Sequence, residues 1–166
     1  MIQLGYHIFS LISHAVFDTS RNDYMEMILH HSVTTWLLFF GYFMNFLSIS
    51  SLILLIHDVA DVWIWLTRAL VDTRFMPIAF IFYLVLMIVF VYGRLYVYPF
   101  HLLYYAIWYN KENWQDIPGF YLIAVLVHFL LLLHVYWYII LIKLGWQYLT
   151  KGVMRDHAIL EERRRR

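Results

Sequence analysis

The sequence predicts an all-α integral membrane protein, a polytopic helical bundle of about five spans around a polar-lined cavity. Composition is the first reason. Of 166 residues, 63% are hydrophobic and 14% charged, whereas soluble domains run nearer 45–50% apolar and about 25% charged. The mean hydropathy is +0.67. The second reason is a set of five apolar segments, several of them close to the roughly 20 residues that cross a bilayer. The third is where the polar groups fall. His30 and His31 lie inside one apolar segment, and His57, Asp58 and Asp61 inside the next. An ionisable side chain at membrane depth costs about 2.5–3.5 kcal/mol on insertion scales, so such clusters mark chemistry or a polar pathway.

In chain order, residues 4–17 form a first apolar segment, short for a span. Residues 28–47 and 52–71 fit full spans, separated by Ser48, Ser50 and Ser51. Residues 77–100 form a fourth, closed by Pro99, because proline removes an N–H donor and clashes with the preceding turn. Residues 119–146 are the longest run, entered through Pro118 and Gly119. Polar connections lie at 18–27, 72–76 and 110–117, and the chain ends in a basic tail over 151–166. No Gly- or Ser-rich linker divides the chain and no repeat is present, so residues 1–150 read as one unit. The short opening segment, and the small number of spans for enclosing a lipid-sized cavity, predict that further amino-terminal spans are missing.

Orientation follows from Lys and Arg. Placing the tail in the cytosol gathers Arg21, Arg68 and Arg74 on the same side, and leaves Lys111 on the other. Arg94 stays inside a span. The net charge of +1 gives no basis for a nucleic-acid partner. With no cysteine, disulfides and a thiol nucleophile are excluded. The start of the chain has no basic n-region or small-residue cleavage site of the secretory kind.

The polar residues define the chemistry. Neighbours on a helix lie about 100° apart, so only one of His30 and His31 can point squarely into a site. His57 and Asp61 are four residues apart and share a face, with Asp58 beside it. A carboxylate so placed can fix a histidine tautomer. Such groups also serve simply to join helices in membranes. His7, His14, His101 and His128, each outside the two clusters, are read that way. Three chemistries remain. A metal is disfavoured because the chain has one HH pair and no HxxxH spacing, and His128 and His134 fall on different faces. Haem has no supporting motif. Metal-free acyl transfer or general base catalysis needs only a buried histidine near a carboxylate. A turn centred on Ser48–Ser51 would leave His30 and His57 roughly 15 Å apart along the helix axes.

The stretch from Asp23 to Trp65 resembles the Lag1p motif of the ceramide synthases, within the TLC-domain family. The pattern HHxxTxxL, a Tyr/Asn region and HDxxDxxLE is matched by His30, His31, Thr34, Leu37, Tyr42, Asn45, His57, Asp58 and Asp61, with 25 residues between His31 and His57. FVYGRLYVYPF resembles the family's RxxxxPF segment through Arg94, Pro99 and Phe100, and LLHVYWYIILIK, with His134, resembles its final span. Departures are Gly41 where serine is expected before the tyrosine, no arginine or glycine among Phe46 to Ser51, and Ile64-Trp65 for the closing Leu-Glu.

The resemblance implies the carboxy-terminal part of a TLC domain in the endoplasmic reticulum membrane. It further implies N-acylation of a sphingoid base by a fatty acyl-CoA, giving ceramide or dihydroceramide, with no cofactor beyond the acyl-CoA substrate and no metal. His30, His31, His57, Asp58 and Asp61 are the catalytic candidates, with His30 nearest the thioester as nucleophile or base. Tyr42, Asn45 and Arg94 are the substrate-binding candidates, Arg94 either meeting a phosphate or pairing with an aspartate across the bundle. The partners implied are acyl-CoA, the sphingoid base and the bilayer, with homo- or hetero-dimers left open. The rival reading is a non-catalytic TLC protein, a lipid sensor or translocon-associated factor. Such relatives usually lack the complete HH and HDxxD set that is present here.

Overall fold

In lipid, backbone N–H and C=O groups must be satisfied within the segment, and helices do that alone. The computed structural model describes residues 2–17, 19, 24–44, 46–70, 75–109, 112, 116 and 119–151, and these are helical apart from short connections. The helices are α1 (Ile2–Phe17), α2 (Tyr24–Phe43), α3 (Leu47–Leu70), α4 (Met76–Phe90), α5 (Val91–Tyr109) and α6 (Phe120–Lys151). Since α4 runs into α5 without a break, the six elements make five rods.

Among the described residues, three rods are long and apolar enough to cross a membrane: Ser48–Leu70, Pro77–Tyr109 and Phe120–Thr150. Leu4–Phe17 is a shorter apolar helix. The 20-residue α2 carries Glu26, His30, His31, Ser32, Thr34 and Thr35, and this polarity sets it apart from the other three. Large apolar side chains such as Phe43, Ile88 and Leu132 point outward at 70%, 70% and 67% exposure, as helices facing lipid require.

Two boundaries differ from the sequence expectation. The α2–α3 turn lies at Met44–Phe46, where the Phe46 N–H donates to the Gly41 carbonyl at 2.8 Å. The serines that mark the turn in the sequence sit instead in the first turns of α3, with Ser51 Oγ donating to the Ser48 carbonyl at 2.8 Å. The helix expected to close at Pro99 continues to Tyr109. Residues 91–109 wind with the wider i→i+5 bonding of a π-helix, which changes the carbonyl that each N–H, and proline's missing one, would face.

α3 packs on α2, α4 and α5, α6 packs on α2 and α5, and α1 chiefly on α2. Val33, Tyr98, Leu103, Ile107, Val127 and Leu130 belong to the core between α2, α5 and α6. Two buried hydroxyls tie α6 to its neighbours by donating to helix carbonyls. Tyr98 bonds Val127 at 2.8 Å, and Tyr83 bonds Leu141 at 2.7 Å. Gly41, one departure from the family pattern, sits where a Cβ would run into the Ser50 side chain, so a serine there would require Ser50 to shift.

Candidate active site

A cavity of about 370 Å³ opens between α1, α2, α3, α5 and α6. One wall is a stripe running from Phe46, just ahead of α3, through Ile49, Ile53, His57 and Asp61 to Trp65. At about 1.5 Å per residue this stripe extends over about 28 Å, so the cavity is an elongated groove. One end is polar, lined by His7, His30, His31, His57, Asp58 and Asp61. The other is apolar, lined by residues such as Leu103, Ile107, Phe120 and Val127.

The two sequence clusters meet at the polar end. His30 stacks on His57 with ring centroids 6.0 Å apart. The roughly 15 Å separation foreseen from a serine turn disappears because the turn lies earlier. Counted from residue 45, His30 and His57 differ by about three residues, or about 4.5 Å of rise. His30 also meets the Trp137 ring edge-on at 4.9 Å. The adjacent His31 turns toward α1, with Nε2 3.5 Å from Ser10 Oγ and its ring 4.8 Å from that of His14. Both line the cavity, but His30 alone touches the His57 ring.

His57 is held at both ring nitrogens. Nδ1 lies 2.6 Å from the Ile53 carbonyl, and Nε2 lies 2.8 Å from Nε2 of His134. A carbonyl only accepts, so His57 Nδ1 carries a proton, and its neutral ring presents a lone pair at Nε2. His134 therefore donates from its own Nε2. The 2.8 Å gap is a well-made hydrogen-bond distance. Among the described residues, no three His, Asp or Glu side chains group as metal ligands.

Asp61 does not orient His57, contrary to the reading of their shared face. Its Oδ1 accepts from Arg94 Nη2 at 2.5 Å, and the same Nη2 lies 3.0 Å from the His57 carbonyl. The Arg94 side chain is 3% exposed and Asp61 46%. Arg94 also rests 5.0 Å over the Phe90 ring. This is the cross-bundle pairing with an aspartate, the second of the two roles anticipated for Arg94. A guanidinium on α5 takes the carboxylate because it offers charge as well as hydrogen bonds, whereas the backbone of α3 already serves His57. Asp58 is exposed on the cavity wall beside it.

The remaining candidates divide. Thr34 lines the cavity and bonds back to the carbonyls of His30 and His31 at 2.9 and 3.1 Å. Tyr42 is exposed and lies off the cavity, because Gly41 occupies the inward position and its neighbour is turned about 100° away. Asn45 lies outside the described residues, as does the basic tail from residue 152. His128, read as joining helices, bonds within its own helix, with Nδ1 2.6 Å from the Ala124 carbonyl, and its ring lies edge-on to Trp108 of α5 at 6.5 Å between centroids. His7, read the same way, instead lines the cavity. His134 is the residue that the sequence reading missed. Its signal was available, since His134 and Trp137 lie three apart on one face of a long apolar span, and they touch His57 and His30 respectively.

These features define a polytopic membrane protein with a histidine-rich centre at one end of an apolar groove. The TLC domain profile matches residues 1–143, and the chain belongs to the TLC-domain family. It is 32% identical to ceramide synthase 4 of Bos taurus over 154 residues, covering 93% of this chain and 39% of that protein. It is 29% identical to ceramide synthase hyl-2 of Caenorhabditis elegans, over 93% of this chain and 50% of that protein. The Alternaria stem canker resistance protein 1 of Solanum lycopersicum is also 29% identical, over 92% and 52%. The chain thus spans about two fifths to one half the length of these relatives.

Proposed function

We propose that this chain carries the catalytic centre of a sphingoid base N-acyltransferase that makes ceramide or dihydroceramide from a fatty acyl-CoA. The observation that carries the reading is the meeting of His30 and His57 at the polar end of a groove whose far end is apolar. The apolar end suits a hydrocarbon chain, and the polar end suits a reacting carbonyl and an amine. With the tail cytosolic, the polar end is also the cytosolic end of α3, the side from which a CoA thioester arrives. The resemblance to ceramide synthases over more than nine tenths of the chain supports the same substrates, in the endoplasmic reticulum membrane.

The chemistry follows from the residues. A sphingoid ammonium must lose a proton before its nitrogen can attack the thioester carbon. Asp58, exposed on the wall, is placed to hold that ammonium, and His30 to take the proton. The new C–N bond forms as the C–S bond breaks, and the CoA thiolate leaves and is reprotonated. In the two-step variant, His30 first displaces CoA to form an acyl-imidazole, and the amine then displaces the imidazole. Either way, the Arg94–Asp61 pair fixes α5 on α3 and keeps the His57 backbone in place.

The test is ceramide formation by the full-length protein in a synthase-deficient membrane. Wild type should restore it, whereas His30→Ala and His31→Ala should not. Equal activity in all three would overturn the assignment and favour a non-catalytic TLC protein. Intact-mass analysis after acyl-CoA alone separates the two routes, since only the acyl-imidazole route adds the acyl mass to the protein.

A further inference from the structure

His134 takes no part in the chemistry above, yet it is the most enclosed polar residue of the site. It is fully buried on α6 and walled by Tyr98 at 5.2 Å and Phe90 at 6.3 Å between ring centroids. Among the described residues its Nε2 bonds Nε2 of His57, and its Nδ1 is buried with no hydrogen-bond partner. A residue serving only to fill that space would be apolar, since an orphaned ring nitrogen is costly in hydrocarbon.

We infer that His134 is a positioning residue that holds the His57 ring, and through it the stacked His30 ring, in one orientation and one tautomer for acyl transfer. The hydrogen-bond inventory leaves one arrangement. Ile53 takes the His57 Nδ1 proton, so His57 Nε2 must accept, and the donor there is His134 Nε2. A charged His57 would donate from both nitrogens. His134 would then have to carry its proton on Nδ1, a buried donor with nothing to receive it. The partnership therefore keeps His57 neutral. His57 is clamped from two sides, by its own helix and by α6, and offers a fixed face to His30 at 6.0 Å. Trp137, three residues on, meets the His30 ring from the same face of α6. One helix thus steadies two of the three motif histidines, His57 and His30, from outside the motif.

The effect on turnover rests on the acyl-transfer reading, while the hydrogen bond does not, and two measurements keep them apart. The first is steady-state kinetics of the full-length protein with acyl-CoA and sphinganine. A Gln at 134 can extend an amide N–H to about the reach of Nε2, whereas Asn is shorter and Leu offers none. His134→Leu should lower kcat by about 100-fold with little change in the acyl-CoA KM. His134→Gln should recover most of that loss, and His134→Asn should not. A merely structural residue would give the same kcat for Gln and Asn, and that result overturns the proposal. Should the Leu variant fail to fold, the Gln–Asn pair still decides. The second measurement is the nitrogen–nitrogen coupling across the bond in protein with 15N-labelled histidine. Wild type should show it and His134→Gln should lose it. Its absence from wild type overturns the proposal, even if ceramide is made. Its presence in a protein that makes no ceramide overturns the reaction and leaves the bond standing.

Discussion

The inner and outer walls of the polar end are built differently from the same residue type. On the inner wall, His57 and His134 are 6% and 0% exposed and share a 2.8 Å bond, and Arg94 locks α5 to α3 through Asp61 and the His57 carbonyl. On the outer wall, His31 meets α1 through a 3.5 Å contact to Ser10 and loose ring contacts to His14 and His7. A contact at 3.5 Å is at the edge of hydrogen bonding, while those near 2.8 Å are well made. The inner wall is thus a fixed frame that sets geometry, and the outer wall a softer boundary beside the shortest apolar helix. His30 stands between them, stacked on the inner wall and adjacent in sequence to the outer one.

The contrast is broken most sharply at His30. On the proposed reaction, His30→Ala should abolish N-acyl transfer, by at least about a thousandfold in kcat, because it removes the imidazole that takes the proton or the acyl group there. The protein should remain folded, which thermal unfolding in detergent checks. The next largest effect should fall on stability. Asp61→Ala leaves the Arg94 guanidinium, 3% exposed, with the His57 carbonyl as its remaining hydrogen-bond partner among the described residues. It should cost about 2–3 kcal/mol, less than the about 3–5 of a fully buried pair because Asp61 is 46% exposed. Arg94→Met should cost less, about 1–3 kcal/mol, because Asp61 at 46% exposure can be solvated. Denaturant unfolding of the two variants tests this order. Arg94→Met proving the more damaging would mean that the frame rests on the His57 carbonyl or the Phe90 ring rather than on the ion pair.

The same contrast explains what the sequence could and could not disclose. His30, His57, Asp58 and Asp61 stand out because each is costly in lipid, and their spacing holds two helices to one site. The partner of Asp61 was open, since a face shared with His57 says nothing of an arginine on another helix. The place of the turn was hidden because Met44 and Phe46 are as apolar as the spans, so polarity at Ser48 to Ser51 pointed one turn too late. Pro99 misled in the same way: its break is real for an α-helix, and residues 91–109 instead wind with i→i+5 bonding. His134 was passed over because its companion in spacing is an aromatic, Trp137, which reads as part of an apolar span until the bundle closes and brings the pair to His57 and His30.

Smaller effects sharpen the difference between the walls. Gly41→Ser restores the residue that the family pattern expects, and it should cost about 1–2 kcal/mol where α2 meets Ser50. Ser50→Gly in the same chain should return most of that, and a double-mutant cycle measures the coupling directly. Additive costs would show that the close approach of the two helices is not what excludes serine.

The smallest effect is expected on the outer wall. Ser10→Ala removes a 3.5 Å contact to His31 Nε2, and a hydrogen bond that long contributes at most about 0.5 kcal/mol. Activity should therefore change less than about threefold, against the complete loss expected for His31→Ala. The comparison asks whether His31 acts by its own ring at the cavity or through its attachment to α1. If Ser10→Ala matched His31→Ala in lost activity, α1 would be part of the frame, and the outer wall would set the geometry as firmly as the inner one. If Ser10→Ala were silent while His31→Ala was inactive, the imidazole itself would be what the reaction needs, with α1 as a lining that can shift to admit a long hydrocarbon chain.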